Sequence, residues 1–203
     1  MTAPRVTATT RKLEIGAVRA GPVGAGFETL DALAGADHRA RWGEEPLPFP
    51  DEVFGEVYAS HVLEHVPWFL SVAALREAHR VLAPGGLLEV WVPDLRAIVD
   101  SYLAGRCGDG WRKHNPDGDP LLWLNGRLFT YGPGDENWHR AAFDAEHLTA
   151  CLTRAGFARV EVTRRRTRGV SHGPIDLGAL AWKAAGKSTG PNQPPPLTDG
   201  RVA

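Results

Sequence analysis

The stretch from residue 53 to residue 94 constrains the fold more than any other part of the chain. Its sequence predicts a strand at Glu56–Ser60, a helix from Trp68 to Leu82, a turn at Pro84-Gly85-Gly86 and a strand at Leu87–Val92. Apolar residues recur at helical spacing in the predicted helix, and the Pro-Gly-Gly sequence is a stop signal. A strand, a helix and a second strand in this order are typical of a parallel sheet covered by helices.

The same alternation continues on both sides of this stretch. We expect three earlier strands, at Lys12–Gly16, Phe27–Asp31 and His38–Trp42. We expect two later helices, one capped by Asp94 and one that begins at Asp144 and ends at Gly156, and two last strands at Arg159–Arg165 and Ile175–Trp182. The predicted fold class is α/β, with a doubly wound and mostly parallel sheet.

Four short motifs follow one another in order between residues 47 and 86. They are Leu47-Pro48-Phe49, Phe54-Gly55-Glu56-Val57, Leu63-Glu64-His65 and Arg80-Val81-Leu82-Ala83-Pro84-Gly85-Gly86. In this order they resemble the class I S-adenosylmethionine-dependent methyltransferases of the type 11-like group, in a compact form. The resemblance implies a Rossmann-like sheet with an antiparallel C-terminal edge, and S-adenosylmethionine as cofactor.

Length and composition restrict the class of protein further. The 203 residues suit one domain, which we place at 11–185, with a flexible tail at 1–10 and a disordered tail at 186–203. A net charge of −1 gives no general attraction to nucleic acid or to an anionic membrane. The two cysteines, the lack of a long apolar run and the polar N-terminus favour a cytoplasmic protein without disulfides or membrane spans.

The end of the first strand is the first part of the predicted cofactor site. The resemblance places the acidic residue and the glycine of the cofactor turn at Glu14 and Gly16, followed by Ala17, whereas Val18 stands where the family has a further glycine. A glycine at such a turn lets the backbone approach the ligand closely. The short link to the second strand predicts that the first helix is vestigial or absent.

Four more residues complete the predicted cofactor site. Asp31, at the end of the second strand, can accept hydrogen bonds from both ribose hydroxyls. Trp42 either stacks on the adenine or fills the core. The Ser60-His61 backbone, at the end of the fourth strand, is expected to contact the cofactor as well.

The residues after the predicted strand Glu56–Ser60 have a role that the sequence alone does not decide. His61, Glu64 and His65 are spaced so that a helix starting at Ser60 would place them on one face. They are either structural or a divalent metal site, similar to the acid-x-x-Glu-His cluster of ubiquinone-pathway O-methyltransferases and small-RNA 3′-end methyltransferases. The third alternative, an inverted zinc-peptidase motif, is opposed by the preceding strand and by Pro67.

Residues 105–141 lack a clear period and are rich in aromatic residues, which predicts a lid or an acceptor wall. His139, near the end of this segment, and His65 are the candidate general bases; His139 is also a candidate fourth metal ligand. We expect methylation of an oxygen on a small hydroxylated acceptor of sugar or natural-product type. The alternative is a methyltransferase-fold scaffold protein without activity, which Val18 favours.

The densest basic run is Arg164, Arg165, Arg166 and Arg168. We interpret it as a solvated edge strand that is protected by its charge. A grip on an anionic acceptor is the alternative. Basic and aromatic residues do not interleave as they do in proteins that bind single-stranded nucleic acid.

Overall fold

The computed structural model of the protein describes residues 11–17, 22–107, 114–130, 134 and 137–186. Within them, seven strands form one sheet in the order β3-β2-β1-β4-β5-β7-β6. The strands are β1 (Lys12–Ile15), β2 (Phe27–Asp31), β3 (His38–Arg39), β4 (Phe54–Ser60), β5 (Leu82–Pro93), β6 (Arg159–Thr163) and β7 (Asp176–Trp182). β1 to β5 pair in parallel, and β7 pairs antiparallel with both β5 and β6. The predicted mostly parallel sheet with an antiparallel C-terminal edge is confirmed.

The described residues include four α-helices: α1 (Ser71–Val81), α2 (Leu95–Leu103), α3 (Pro120–Phe129) and α4 (Ala145–Ala155). α1 packs against α4, and both contact the sheet, whereas α2 packs against α3. The buried side of α1 carries small and aliphatic residues at helical spacing, which lets it lie close to β5. None of the helices in the described part of the chain is long and apolar enough to cross a bilayer.

The helix ends follow local signals in the sequence. Asp94 accepts a hydrogen bond from the Arg96 backbone N–H at the start of α2, and Asp144 accepts one from the His147 N–H at the start of α4. Gly156 ends α4 with a φ of 110°, in the left-handed region that favours glycine. These three predicted ends are confirmed.

The predicted helix at Trp68–Leu82 is shorter than expected. A 3-10 turn at Trp68–Leu70 precedes α1, and β5 begins at Leu82, before the Pro-Gly-Gly sequence. Pro84 disfavours helical backbone in the residue before it, and Leu82 is extended as well. The helix ends before the Pro-Gly-Gly sequence because Leu82 already pairs with Phe54 of β4.

The predicted helix start at Ser60 is wrong. β4 continues through Ser60, His61 has a φ of 55°, and only the 3-10 turn Leu63–His65 follows. The helical-face argument for His61, Glu64 and His65 fails with it, because His61 leaves the strand in a left-handed conformation.

The prediction that residues 105–141 are irregular is also corrected, because α3 lies among them. Asp119 accepts hydrogen bonds from the backbone N–H groups of Leu121 and Leu122, and Pro120 occupies the first turn. Leu121, Leu122 and Phe129 are exposed, so apolar residues lie on several faces of α3 and blur its period.

The described residues between β1 and β2 form no helix, in line with the short link in the sequence. Val18, the predicted tail at 1–10 and all but the first residue of the predicted tail at 186–203 lie outside the described residues. The open edge formed by the carboxyl ends of β1, β2 and β4 is where ligands bind in sheets of this kind.

Candidate functional site

A cavity of about 810 Å³ lies at the carboxyl ends of β1, β2 and β4. This volume is in the range of sites for cofactors and small ligands. Every predicted site residue except Ala17 lines it: Glu14, Gly16, Asp31, Trp42, Ser60, His61, Glu64, His65 and His139. Ala17 is 3% exposed and faces the interior. The structure therefore brings together residues from both predicted parts of the site.

Glu14 and Gly16 form one wall of the cavity. The Glu14 carboxylate is buried and accepts a hydrogen bond of 2.6 Å from the Val23 backbone N–H, so it holds the far side of the turn in place. Burial raises the pKa of Glu14 above its ordinary value. Gly16 has a φ of 87°, and its N–H donates to the Leu30 carbonyl at 2.8 Å. A side chain at Gly16 would collide with Val62.

Asp31 and Trp42 line the next part of the cavity. Asp31 ends β2, and its Oδ1 accepts a hydrogen bond of 2.9 Å from the Leu33 backbone N–H. The Trp42 indole is 5% exposed and donates from Nε1 to the Ala74 carbonyl at 2.8 Å. This bond fixes the indole in the core cluster while one of its edges borders the cavity.

His61 lies between two buried carboxylates. Its Nδ1 is 3.2 Å from Glu64 Oε1, and its Nε2 is 3.1 Å from Asp176 Oδ1. Burial alone would lower the pKa of His61, but the hydrogen bonds to Asp176 and Glu64 raise it to about 9. His61 is therefore an imidazolium at neutral pH, and both its nitrogens are occupied.

The neighbouring His172 is neutral. Its ring stacks on His61 with the ring centres 3.9 Å apart. Burial, with the adjacent His61 cation, lowers the pKa of His172 to about 4. For Asp176 burial acts against ionisation, but the bonds from His61 and Ser171 lower its pKa to about 2. The charged His61 ring is thus stacked on the neutral His172 ring, next to the Asp176 carboxylate.

Glu64, His65 and His139 form a second group, which we call the acceptor cluster. One ligand atom from each lies within 4.8 Å of the others. Burial would raise the pKa of Glu64, but His61 lowers it below its ordinary value. Burial lowers the pKa of His139. The sequence grouped His61 with Glu64 and His65, whereas the structure groups His139 with them.

Residues 35–90 match the model of a family described as methyltransferase domain. This segment holds the motifs from Leu47 to Gly86 and runs from β3 to most of β5. In its motifs and in its fold the chain is similar to the class I methyltransferases. S-adenosylmethionine is the cofactor that this family implies.

Solved structures show the same fold. A methyltransferase of Thermotoga maritima dependent on S-adenosylmethionine is 19% identical, with a TM-score of 0.50, over 85% of this chain and 82% of that one. One from Mesorhizobium loti is 18% identical, with a TM-score of 0.52, over 87% and 92%. The CMeT domain of the citrinin polyketide synthase is 16% identical, with a TM-score of 0.55, over 90% of this chain but only 48% of that one. The chain spans about half the length of that domain. No curated protein matched the sequence.

The arginine run at residues 164–168 does not lie in the edge strand that the sequence predicted. β6 ends at Thr163, and the run lies in the connection to β7. The Arg166 side chain is only 6% exposed and donates to Ser60 Oγ at 2.9 Å. Arg168 pairs with Glu56 and Glu89. A solvated edge strand is therefore wrong for these two arginines, because carboxylates and the sheet surround them.

Sequence analysis gave no role to His172 and Asp176, which contact His61, and it considered Arg166 only as part of the basic run. Arg166 packs on the Trp91 ring at 4.2 Å and forms an ion pair with Asp176. Their contacts with His61 join residues more than 100 positions apart, which no local spacing reveals. The unusually dense arginine run was the one available signal.

The raised pKa of His61 makes the stability of the protein depend on pH. The groups that face His61 are Glu64, Asp176, Arg166 and His172. The contribution of the cation is complete below pH 6.5, its ordinary value, and is lost as the pH rises through about 9. One pKa unit corresponds to about 1.4 kcal/mol, so we expect the free energy of unfolding to fall by about 3 kcal/mol over this window.

Urea unfolding at pH 6.5 and pH 9.5, in the presence of a chelator, measures this loss. The control is His61→Asn, since asparagine tolerates the left-handed φ of 55°. We expect a much smaller change in the variant. An equal change in both proteins would show that His61 is not the group that titrates.

Proposed function

We propose that the protein transfers a methyl group from S-adenosylmethionine to an oxygen of a small hydroxylated acceptor, of sugar or natural-product type, with help from a divalent metal. The observation that carries the proposal is that two sets of residues line one cavity. Glu14, Gly16 and Asp31, at the ends of β1 and β2, are the first set, and the acceptor cluster, after β4 and α3, is the second. The first set fits the cofactor that the family implies.

The second set of residues, the acceptor cluster, supports an oxygen atom as the acceptor of the methyl group. In the transfer, the acceptor oxygen forms a bond to the methyl carbon while the carbon–sulfur bond breaks and its electron pair stays on sulfur, which gives S-adenosylhomocysteine. The hydroxyl proton has to leave as the new bond forms. Glu64, His65 and His139 offer a carboxylate and two imidazoles at one place, which suits the activation of a hydroxyl group.

The size of the cavity supports a small acceptor. About 810 Å³ has to hold the cofactor and the acceptor together. α3 and the residues after it border the cavity through Gly126, Arg127, Thr130, His139 and Arg140. We propose that these residues form an acceptor wall.

Hydrogen exchange tests the acceptor wall. S-adenosylhomocysteine with a bound acceptor should slow the exchange of amides at 120–130 and 137–142 relative to the free protein, because ligands suppress local opening. Amides of β6 serve as the internal control. The acceptor wall is excluded if both regions respond alike.

We place the activity in the cytoplasm, in support of which Cys107 and Cys151 are both free thiols. The test of activity is a panel of phenols, sugars and nucleotide sugars with methyl-labelled S-adenosylmethionine. We expect label in at least one hydroxylated compound. Cofactor binding without any transfer across the panel would instead favour the scaffold alternative.

Replacement of Asp31 by alanine should weaken cofactor binding. Asp31 ends β2 and lines the cavity, and a carboxylate there accepts charge-assisted hydrogen bonds from the ribose. We expect a loss of about 1–3 kcal/mol in binding free energy, measured by calorimetry with S-adenosylhomocysteine. Asp51→Ala is the control, since Asp51 is exposed and pairs with Arg80 outside the cavity. Unchanged affinity in Asp31→Ala would show that Asp31 does not bind the ribose.

A further inference from the structure

The two histidines of the acceptor cluster are held in one tautomer. His65 Nδ1 is 3.2 Å from the Trp138 carbonyl oxygen, and His139 Nδ1 is 3.2 Å from the Arg127 carbonyl oxygen. A carbonyl oxygen only accepts, so each Nδ1 carries a proton, and Nε2 is the nitrogen whose lone pair is available to a ligand. Histidines that bind metals are fixed in this way by a hydrogen bond from the other nitrogen.

Glu64 adds a buried oxygen to the cluster. Its side chain is 1% exposed, and Oε1 accepts from His61. Oε2 is buried and has no hydrogen-bond partner. A buried carboxylate oxygen without a partner is costly, and Glu64 borders the cavity. A cation or a hydrogen-bond donor at Glu64 Oε2 would therefore offset the cost of burying this oxygen.

The acceptor cluster thus offers a carboxylate oxygen and two imidazole lone pairs, while its two imidazole N–H groups already donate to backbone carbonyls. Its ligand atoms lie within 4.8 Å of one another, so small side-chain rotations would let one cation contact all three. We propose that Glu64, His65 and His139 bind a first-row divalent cation of the zinc, iron or manganese type. Two imidazoles and one carboxylate suit these ions, whereas magnesium prefers oxygen ligands alone.

The second group of potential ligands, His61, His172 and Asp176, is less suitable. Asp176 Oδ1 bonds to His61, and Oδ2 accepts from Ser171 Oγ at 2.8 Å and from the His172 N–H at 3.0 Å. Both nitrogens of His61 face carboxylates. This group satisfies its own hydrogen bonds, so the metal ligand set that the sequence suggested changes from His61, Glu64 and His65 to Glu64, His65 and His139.

This inference rests on the proposed function only in the role of the cation. Three protein ligands leave coordination positions open. A hydroxylated acceptor that occupied one of them would have a lower hydroxyl pKa and would be held in a fixed orientation. Its proton would then pass to solvent rather than stay on His65 or His139.

Calorimetric titration of chelator-treated protein with ZnCl₂ tests the site. We expect one zinc per chain, with an affinity that falls at least about tenfold in Glu64→Gln and in His139→Gln. Co²⁺ absorption bands give a second readout of nitrogen and oxygen ligands. His65→Gln is the further variant in case the buried Glu64 substitution prevents folding, and His172→Gln is the matched control in the same cavity.

The outcomes separate the metal from the methyl transfer. Zinc binding that survives Glu64→Gln and is lost in His172→Gln would overturn the assignment, as would no zinc binding in the wild type. Full transfer in chelator would also overturn the metal role and with it the metal-assisted part of the proposed function, while methyl transfer itself stands. If the protein binds zinc but does not bind S-adenosylmethionine, the metal site stands and the proposed function is refuted.

Discussion

Gly16→Ala is expected to destabilise the protein by about 3–5 kcal/mol and to abolish measurable cofactor binding. The added Cβ would lie 2.1 Å from Val62 Cγ2, and Gly16 has a φ of 87°. Strain in the left-handed region and overpacking against Val62 therefore add up. Val62 immediately follows His61, so relief of the clash would displace the residues at the end of β4. Thermal unfolding and calorimetry measure the two effects.

Two variants make the Gly16 prediction specific. Gly24→Ala changes a glycine of the same link, where a Cβ meets nothing within 4 Å, and should be close to neutral. Gly16→Ala combined with Val62→Ala removes the clash but keeps the backbone strain, so it should recover part of the stability. If Gly16→Ala had the stability and affinity of the wild type, Gly16 would have neither the left-handed backbone nor the close approach to Val62.

Substitutions in the acceptor cluster should give the largest loss of activity. We expect His139→Ala and His65→Ala each to lower the turnover of the best acceptor by about 10²–10⁴-fold, because activation of the hydroxyl group is lost. Affinity for S-adenosylhomocysteine should stay within about threefold, since the residues proposed to contact the cofactor are others, Glu14, Gly16 and Asp31. The measurement is steady-state transfer of labelled methyl groups, with binding measured in parallel.

His114→Ala is the matched control for these substitutions. His114 belongs to the same chain segment but is exposed and does not line the cavity. Its turnover should equal that of the wild type. If the His139 and His65 variants keep their turnover as well, the acceptor is activated elsewhere.

The parts of the fold that sequence predicted correctly depend on local signals. Asp94 and Asp144 cap helices because their side chains reach backbone N–H groups two or three residues away. The alternation of strands and helices fixes a parallel sheet because the connections are short and regular. The same locality explains why the sequence placed Glu14, Gly16 and Asp31 at one cavity: each lies at the end of a strand, and parallel strands end at one edge.

The parts that sequence missed depend on distant contacts. His61 takes its left-handed conformation beside Asp176, which lies 115 positions away. His139 joins Glu64 because the Arg140 backbone N–H donates to the Glu64 carbonyl at 2.7 Å. Neither contact leaves a period or a spacing in the sequence. The helical spacing of His61, Glu64 and His65 was a real pattern, but Pro67 and the strand before it prevented the helix.

The central claim is that the cavity at the ends of β1, β2 and β4 binds the cofactor of a methyltransferase. Calorimetric titration with S-adenosylhomocysteine tests it most directly. We predict a saturable isotherm with one site per chain, weakened about 5–150-fold in Asp31→Ala and unchanged in Asp51→Ala. The absence of binding at millimolar concentration in the folded wild-type protein, or equal affinity in all three proteins, would contradict the account.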